Sequence, residues 1–175
     1  MFTFEHTPVI PSQDMVKGCQ VFSESSRVLR ELSYYAIGLN EVFRGLDPKQ
    51  HAAHVALRSK AEEMYPHIQA LNAVDPNLMQ GKSIIANRAT PLHVDKHDPP
   101  HGWAALGVVG SFTGGAQLNV PRLNHRTPFN SGDLIFIRGG VLAHEVEPWK
   151  SGQRFSIAHF THMSVWKSLG VELPF

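Results

Sequence analysis

Histidine is the residue type whose number and spacing first suggest chemistry in this chain. The sequence has 11 histidines among 175 residues, and seven of them lie between His93 and His162. Within that stretch His93 and Asp95 form a His-x-Asp pair, and residues i and i+2 of an extended strand point to the same face. Such a pair can direct an imidazole and a carboxylate at one metal ion, although the pattern alone also arises by chance.

A third ligand has to come from another strand, and His144 in GGVLAHEVEPW is the candidate that we favour. Two histidines and one carboxylate on one face of an iron form the facial triad of non-haem Fe(II) oxygenases. This triad leaves positions open because the co-substrate and O2 both have to bind the metal. We therefore expect His93, Asp95 and His144 to bind Fe(II).

An arginine ten residues after His144 extends the pattern. We expect the chain to leave a strand at Val146, turn through Pro148–Gly152 and return antiparallel, with Arg154 near the third ligand. Because Arg154 stands in the hydrophobic stretch RFSIAHF, its buried guanidinium needs an anionic partner and can hold a carboxylate in bidentate fashion. Ser156 shares that face and can add a hydrogen bond. An iron-chelating 2-oxo acid with a distant second carboxylate matches this layout.

In this order, His93-x-Asp95, His144 and Arg154-x-Ser156 resemble the signature of the Fe(II)/2-oxoglutarate dioxygenase superfamily. GGAQLNVP and NSGDLIFI resemble two of its barrel strands, and the stretch from HVDKHDPPHGW to GQRFSIAHFTH is similar to the short fungal branch of Tet/JBP-like oxygenases. The resemblance implies a double-stranded β-helix with Fe(II) and 2-oxoglutarate as cofactors. It also implies an enzyme that oxidises a C–H bond with O2 and releases succinate and CO2.

The resemblance leaves the substrate open between a modified nucleobase and a small molecule. Tet and JBP members oxidise the methyl group of modified pyrimidines, and such enzymes extrude the base from duplex DNA. The formal net charge of +1 does not favour binding to nucleic acid, although it is compatible with a local basic groove. We expect substrate contacts at Arg88, His97, His101 and Trp103, and a co-substrate contact at Asn87. The alternatives are ordinary exposed or strand-edge positions, and a core position for Trp103.

The elements that must position these residues change in character near residue 80. Before it, helical spacing predicts one helix over about 23–46, capped within Ser23–Ser26, and a second from Asp47 to about 72 with a kink or break at Pro66. After it, short apolar runs between turn residues predict strands at 83–87, 103–112, 116–120, 125–129, 133–138, 143–148 and 154–162. A closing helix is expected at 164–169.

Helices followed by many short strands predict an α+β fold, a jelly-roll core with supporting N-terminal helices on one outer face. We expect a single domain over 1–175, with helical support over 1–80, the jelly roll over 81–162 and a C-terminal helix and tail over 163–175. The composition, 42% hydrophobic and 18% charged, agrees with one globular core.

The remaining sequence features bear on compartment and on other kinds of site. The single cysteine, Cys19, cannot form an intramolecular disulfide, and there is no cysteine cluster for zinc. Residues 1–18 have no secretory pattern, and no apolar stretch approaches the roughly 20 residues of a spanning helix. We expect an intracellular protein, cytoplasmic or nuclear, without a membrane partner; the oligomeric state is left open.

Two rival functions share these residues. A cupin-type metalloprotein that uses no 2-oxoglutarate would have the same jelly roll, and PFNSGDLIFIRGGVLAH loosely resembles a cupin motif. Cupins usually offer His-x-His and a later Glu, whereas this chain has Asp95 and no Glu between it and His144. The second rival is a non-catalytic binding module with a structural metal site, which gives no reason for a carboxylate clamp at Arg154.

Overall fold

A computed structural model describes residues 9–175, so the predicted absence of a signal sequence lies partly outside the described residues. The chain divides into two compact units. One holds the residues up to Leu78 together with Ser164–Phe175, and the other is Met79–Met163. The first unit is helical and the second is built from strands. The single-domain organisation stays a prediction.

The helical unit is held together by apolar side chains. Its helices are α1 (Cys19–Glu31), α2 (Ser33–Leu46), α3 (Pro48–Met64) and α4 (Pro66–Asn72), and α5 (Met163–Leu169) confirms the closing helix. The main buried cluster consists of Leu57, Ala61, Ile68, Trp166 and Leu169.

Two helix boundaries, at Asp47 and at Pro66, lie where the sequence predicts them, and the N-terminal helix departs from its prediction. The Asp47 carboxylate accepts a hydrogen bond from the Gln50 amide at 3.0 Å and caps α3. Pro66 separates α3 from α4 because it forces Tyr65 into an extended conformation. The single helix predicted over 23–46 and its cap within Ser23–Ser26 are wrong. α1 begins earlier, at Cys19, with Gly18 at the N-cap, so these serines lie inside the helix, and a turn at Leu32 separates α1 from α2.

The strand unit is a jelly roll of two four-stranded antiparallel sheets. Its strands are β1 (Gly81–Ala86), β2 (Thr90–His93), β3 (Ala104–Gly115), β4 (Leu118–Val120), β5 (His125–Thr127), β6 (Leu134–Ile137), β7 (His144–Val146) and β8 (Trp149–Phe160). The first sheet has the order β1-β8-β3-β6 and the second the order β2-β7-β4-β5. Successive strands therefore cross repeatedly between the sheets, which is the arrangement of a double-stranded β-helix.

Apolar residues from both sheets fill the interior of this jelly roll. The buried cluster takes Ala104, Val108 and Ile137 from the first sheet and Leu118, Val120 and Val146 from the second, with Phe129 from the loop after β5. The α+β prediction with a double-stranded β-helix core and N-terminal helices is confirmed.

The connection between β7 and β8 differs from the predicted hairpin. β8 begins at Trp149 and pairs with β1 and β3, whereas β7 pairs with β2 and β4. His144 and Arg154 consequently lie in opposite sheets, not on neighbouring strands. The prediction failed because a short spacing allows a crossover between sheets as readily as a hairpin, and Pro148 cannot donate a ladder hydrogen bond. β2 was not among the predicted strand ranges, and it ends at His93, so Asp95 lies just beyond the strand on which the His-x-Asp pair was expected.

Candidate functional site

The predicted metal ligands meet at the paired ends of β2 and β7. His93 and His144 face each other in the ladder between these strands. Asp95 follows β2, and its Oδ1 lies 3.3 Å from Nε2 of His93 while its Oδ2 lies 3.8 Å from Nε2 of His144. One ligand atom from each residue lies within 4.8 Å of the others, so the three side chains can hold one metal ion.

Both imidazoles are oriented by the chain itself. Nδ1 of His93 lies 2.9 Å from the Pro91 carbonyl, and Nδ1 of His144 lies 2.9 Å from the Leu142 carbonyl. A carbonyl oxygen can only accept, so each Nδ1 donates its proton there and each Nε2 is left facing Asp95. An imidazole held in this way coordinates a metal through Nε2 once that nitrogen carries no proton.

The candidate metal-ligand group, formed by His93, Asp95 and His144, is partly open to solvent. The side chain of His144 is only 5% exposed, whereas those of His93 and Asp95 are 37% and 31% exposed. A metal held by these groups would therefore have protein on one side and accessible positions on the other, which is what a reactive site requires and a closed structural site does not.

Gly139, in the loop between β6 and β7, fits tightly against the Asp95 carboxylate. Its carbonyl accepts a hydrogen bond from the Asp95 amide at 2.9 Å. A Cβ atom at position 139 would lie 2.1 Å from Oδ2 of Asp95 and 3.4 Å from Cε1 of His144. Any side chain at position 139 would displace the Asp95 carboxylate, so Gly139 belongs to the site although it was not among the predicted site residues.

Arg154 is a buried cation with unmet hydrogen-bonding capacity. It is 1% exposed, and its Nη1 donates to the hydroxyl of Ser156. Nε and Nη2 have no hydrogen-bond partner among the described residues. The guanidinium carbon lies 5.1–5.5 Å from the ring centroids of Phe112, Phe129 and Trp149. Burial lowers the pKa of Arg154, but a guanidinium remains charged, so this pocket is suited to an anion.

Asn87 contacts the backbone of β8 beside Arg154. Its Oδ1 accepts from the Arg154 amide at 2.8 Å, and its Nδ2 donates to Oε1 of Gln153. Both polar ends of the Asn87 side chain are therefore already paired. Its predicted contact with a co-substrate stays a prediction.

A cavity of about 300 Å³ adjoins the metal-ligand group. Asp95 is one of its walls, and the other lining residues are Val94, Lys96, His97, Asp98, Phe160 and His162.

Of the predicted substrate residues, His97 lines this cavity. Arg88 is exposed between β1 and β2, His101 is half-buried, and Trp103 packs under the Arg138 guanidinium at 4.7 Å.

Two polar side chains in the cavity were not among the predicted site residues. Oδ1 of Asp98 lies 3.2 Å from Nδ1 of His162, and the Asp98 side chain is 7% exposed. Burial, followed by repulsion from Asp95, raises the pKa of Asp98. The ring of His162 lies 4.7 Å from that of Phe160. Asp98 and His162 are 64 residues apart in sequence, so only the fold brings them together. The sequence indicated only that His162 lies an even number of residues after Arg154, as side chains on one face of a strand do.

No family model matches the sequence, and no curated protein matches it. Among solved structures, NgTET1 in complex with 5mC DNA aligns at 20% identity and a TM-score of 0.49, over 54% of this chain and 38% of that one. A cupin 2 conserved barrel domain protein from Salinispora arenicola aligns at 18% identity and a TM-score of 0.37, over 51% of this chain and 68% of that one. The aligned region thus spans little more than a third of the NgTET1 chain.

No helix in the described residues is both long enough and apolar enough to cross a lipid bilayer.

Proposed function

We propose that the strand unit is an Fe(II)- and 2-oxoglutarate-dependent dioxygenase that oxidises a C–H bond of its substrate. The observation that carries this proposal is the pairing of two sites in one jelly roll: an open His–Asp–His group and a buried guanidinium with two unmet donors. A metal-binding fold with a structural ion or a cupin-type site would need only the His–Asp–His group. The buried guanidinium has two unpaired donors and needs an anionic ligand, such as a small acid.

The donor set fits iron. Two neutral imidazoles and one carboxylate are the ligands of non-haem Fe(II), and His93, Asp95 and His144 would hold it. Fe(II) together with 2-oxoglutarate supplies the activation of O2 that drives oxidation of a C–H bond, with succinate and CO2 as co-products. The Nδ1–H groups of the two histidines stay bound to backbone carbonyls, so the rings keep their orientation during turnover.

Arg154 fits the distal carboxylate of 2-oxoglutarate. Its free Nε and Nη2 can donate to the two oxygens of one carboxylate, while Ser156 keeps Nη1 in place. Phe112, Phe129 and Trp149 exclude water around the guanidinium, which strengthens the ion pair. The same pocket would reject a 2-oxo acid without a second carboxylate, because the buried donors would then remain unpaired.

The cavity beside Asp95 would take the substrate. Its volume of about 300 Å³ is at the small end of the range for ligand pockets. Phe160 offers an apolar wall, and Asp98 and His162 offer an acceptor and an imidazole for a polar edge. A methylated pyrimidine base meets these needs, since a carboxylate can accept from the exocyclic amino group of cytosine. A base in duplex DNA would have to be extruded to enter.

An assay of co-product formation tests this function. The protein, with Fe(II), ascorbate and 2-oxoglutarate, would be offered 5-methylcytosine as nucleoside, in single-stranded and in duplex DNA, and succinate and oxidised base would be measured by mass spectrometry. We expect Fe(II)-dependent succinate in all arms and base oxidation in at least one. Succinate without base oxidation would leave a different small molecule as substrate. No succinate, despite bound iron, would favour the cupin-type alternative.

A further inference from the structure

Asn87 has an unusual conformation next to Arg154. It follows β1 directly and has φ = 51°, in the left-handed region that non-glycine residues rarely occupy. Asparagine is one of the residues that tolerate this conformation. The left-handed turn takes the chain out of the first sheet towards β2, the strand that ends in His93.

The Asn87 side chain replaces a backbone hydrogen bond that this turn removes. β1 and β8 pair antiparallel up to Ala86 and Phe155, so the next rung would join Asn87 to Arg154. The Asn87 amide still donates to the Arg154 carbonyl at 2.8 Å. In a regular rung the Arg154 amide would donate to the carbonyl of residue 87. Here it donates to the Asn87 side-chain Oδ1 at 2.8 Å instead.

The opposite flank of Arg154 is constrained as well. Arg154 is the β8 partner of Gly110 in β3. A Cβ atom at Gly110 would lie 2.1 Å from the Gln153 carbonyl oxygen and 3.2 Å from Cα of Arg154. The backbone of Arg154 therefore lies between a close-packed glycine on one side and the Asn87 side chain on the other.

We propose that Asn87 is a positioning residue for the co-substrate clamp: its side chain completes the last rung of the β1–β8 ladder and thereby places the Arg154 guanidinium. This inference rests on the proposed function, because it assumes that Arg154 binds the distal carboxylate of 2-oxoglutarate. Asn87 acts through the backbone of β8 and does not touch the ligand itself. Its removal should weaken recognition of the second carboxylate and leave the metal-ligand group intact.

Two substitutions separate the hydrogen bond from the backbone conformation. Asn87→Gly keeps the left-handed conformation at no steric cost but removes the acceptor. Asn87→Asp keeps an acceptor for the Arg154 amide, and Gln153 can reverse its amide to donate to the new carboxylate. Asn124→Gly is the matched control, since Asn124 is also exposed and left-handed, with φ = 47°, but lies between β4 and β5.

The test compares two ligands on the anaerobic Fe(II) protein. 2-Oxoglutarate and pyruvate share the 2-oxo acid group, but only 2-oxoglutarate has a distal carboxylate for Arg154. Dissociation constants would be measured from the visible charge-transfer band, and thermal unfolding would be followed in parallel. For Asn87→Gly we expect 2-oxoglutarate affinity to fall about five- to tenfold, the equivalent of one hydrogen bond, with pyruvate affinity unchanged. Asn87→Asp and Asn124→Gly should bind both ligands like the wild type.

Three results would overturn the inference, and they point to different causes. Unchanged 2-oxoglutarate affinity in Asn87→Gly would show that the rung does not place the guanidinium. An equal loss for both ligands would assign Asn87 a general structural role. A wild-type protein that binds pyruvate as tightly as 2-oxoglutarate would contradict the proposed clamp at Arg154 itself, and with it this inference.

Discussion

The metal-ligand group and the Arg154 pocket belong to the same jelly roll but are prepared for their ligands in opposite ways. His93 and His144 each have a backbone carbonyl to satisfy Nδ1, and the Asp95 carboxylate is partly solvated. Arg154 is almost fully buried, and two of its nitrogens have no partner among the described residues. The first group has its Nδ1 donors satisfied by the backbone and its carboxylate in contact with solvent, whereas the second carries a free-energy cost until an anion arrives.

This difference predicts that the two regions have different roles, one in reactivity and the other in ligand selectivity. Under the proposed function, a metal on the open group would be accessible to several small molecules, and the buried guanidinium would select among them by the cost of leaving its donors unpaired. Selectivity for 2-oxoglutarate would then come from Arg154, and reactivity from the metal site.

Removal of a metal ligand should have the largest effect. In His144→Ala the most buried imidazole of the group is lost, so we expect Fe(II) affinity to fall by more than about 100-fold, beyond the usual cost of losing a group that only orients a ligand. Anaerobic calorimetry with Fe(II) measures this. His125→Ala, an exposed histidine on β5, is the control and should bind like the wild type. Fe(II) affinity in His144→Ala equal to that of the wild type would mean that the metal binds at another site.

Replacement of the buried cation should have two effects of opposite sign. In Arg154→Met we expect the affinity for 2-oxoglutarate to fall about 100-fold, as two charge-assisted hydrogen bonds are lost. The ligand-free protein should become more stable to unfolding by about 1–3 kcal/mol, because an unpaired buried charge is removed and its volume is filled. Chemical denaturation and ligand titration measure the two quantities.

Arg122→Met is the control for this pair of measurements, since Arg122 is exposed in the short 3-10 helix after β4. It should change neither quantity. A less stable Arg154→Met protein would mean that the guanidinium is already satisfied without a ligand, and the contrast between the two regions would disappear.

Gly139→Ala tests how closely the open group is held. The added methyl group would overlap Oδ2 of Asp95, so the carboxylate must shift, and we expect Fe(II) affinity to fall about tenfold. Gly38→Ala is the control, because nothing lies within 4 Å of a Cβ atom at that position in α2. Normal metal binding by Gly139→Ala would mean that Asp95 can move freely without affecting the site.

Ser156→Ala should give the smallest effect. The Ser156 hydroxyl accepts from Nη1 of Arg154, so its loss removes one of the contacts that hold the guanidinium. We expect 2-oxoglutarate affinity to fall about threefold to tenfold, with Fe(II) affinity unchanged. Ser151→Ala, at an exposed position of the same strand, is the matched comparison. A loss as large as that of Arg154→Met would indicate that the hydroxyl binds the ligand directly.

The residues of the candidate site differ in how far sequence could identify them. The grouping of His93, Asp95 and His144 could be predicted because their residue types match a known ligand set, although Asp95 lies just beyond β2 and not on it. Arg154 was accessible because a charge within an apolar strand requires a partner.

Other features depend on long-range packing. The opposite-sheet placement of His144 and Arg154, the approach of Asp98 to His162, and the fit of Gly139 against Asp95 are set by strand order. Strand order follows from how two sheets fill one core, and turn signals between neighbouring strands do not determine it. The left-handed Asn87 is similar: its residue type permits the conformation, but only the departure of β1 from the sheet requires it.

The central claim is that one small acid bridges the open metal group and the buried guanidinium. Its most direct test is the anaerobic addition of Fe(II) and then 2-oxoglutarate to the metal-free protein, with His144→Ala and Arg154→Ala measured beside the wild type. We expect a weak visible charge-transfer band that His144→Ala abolishes and that Arg154→Ala shifts to much higher ligand concentration. Confirmed iron binding without any such band in the wild type would contradict the claim.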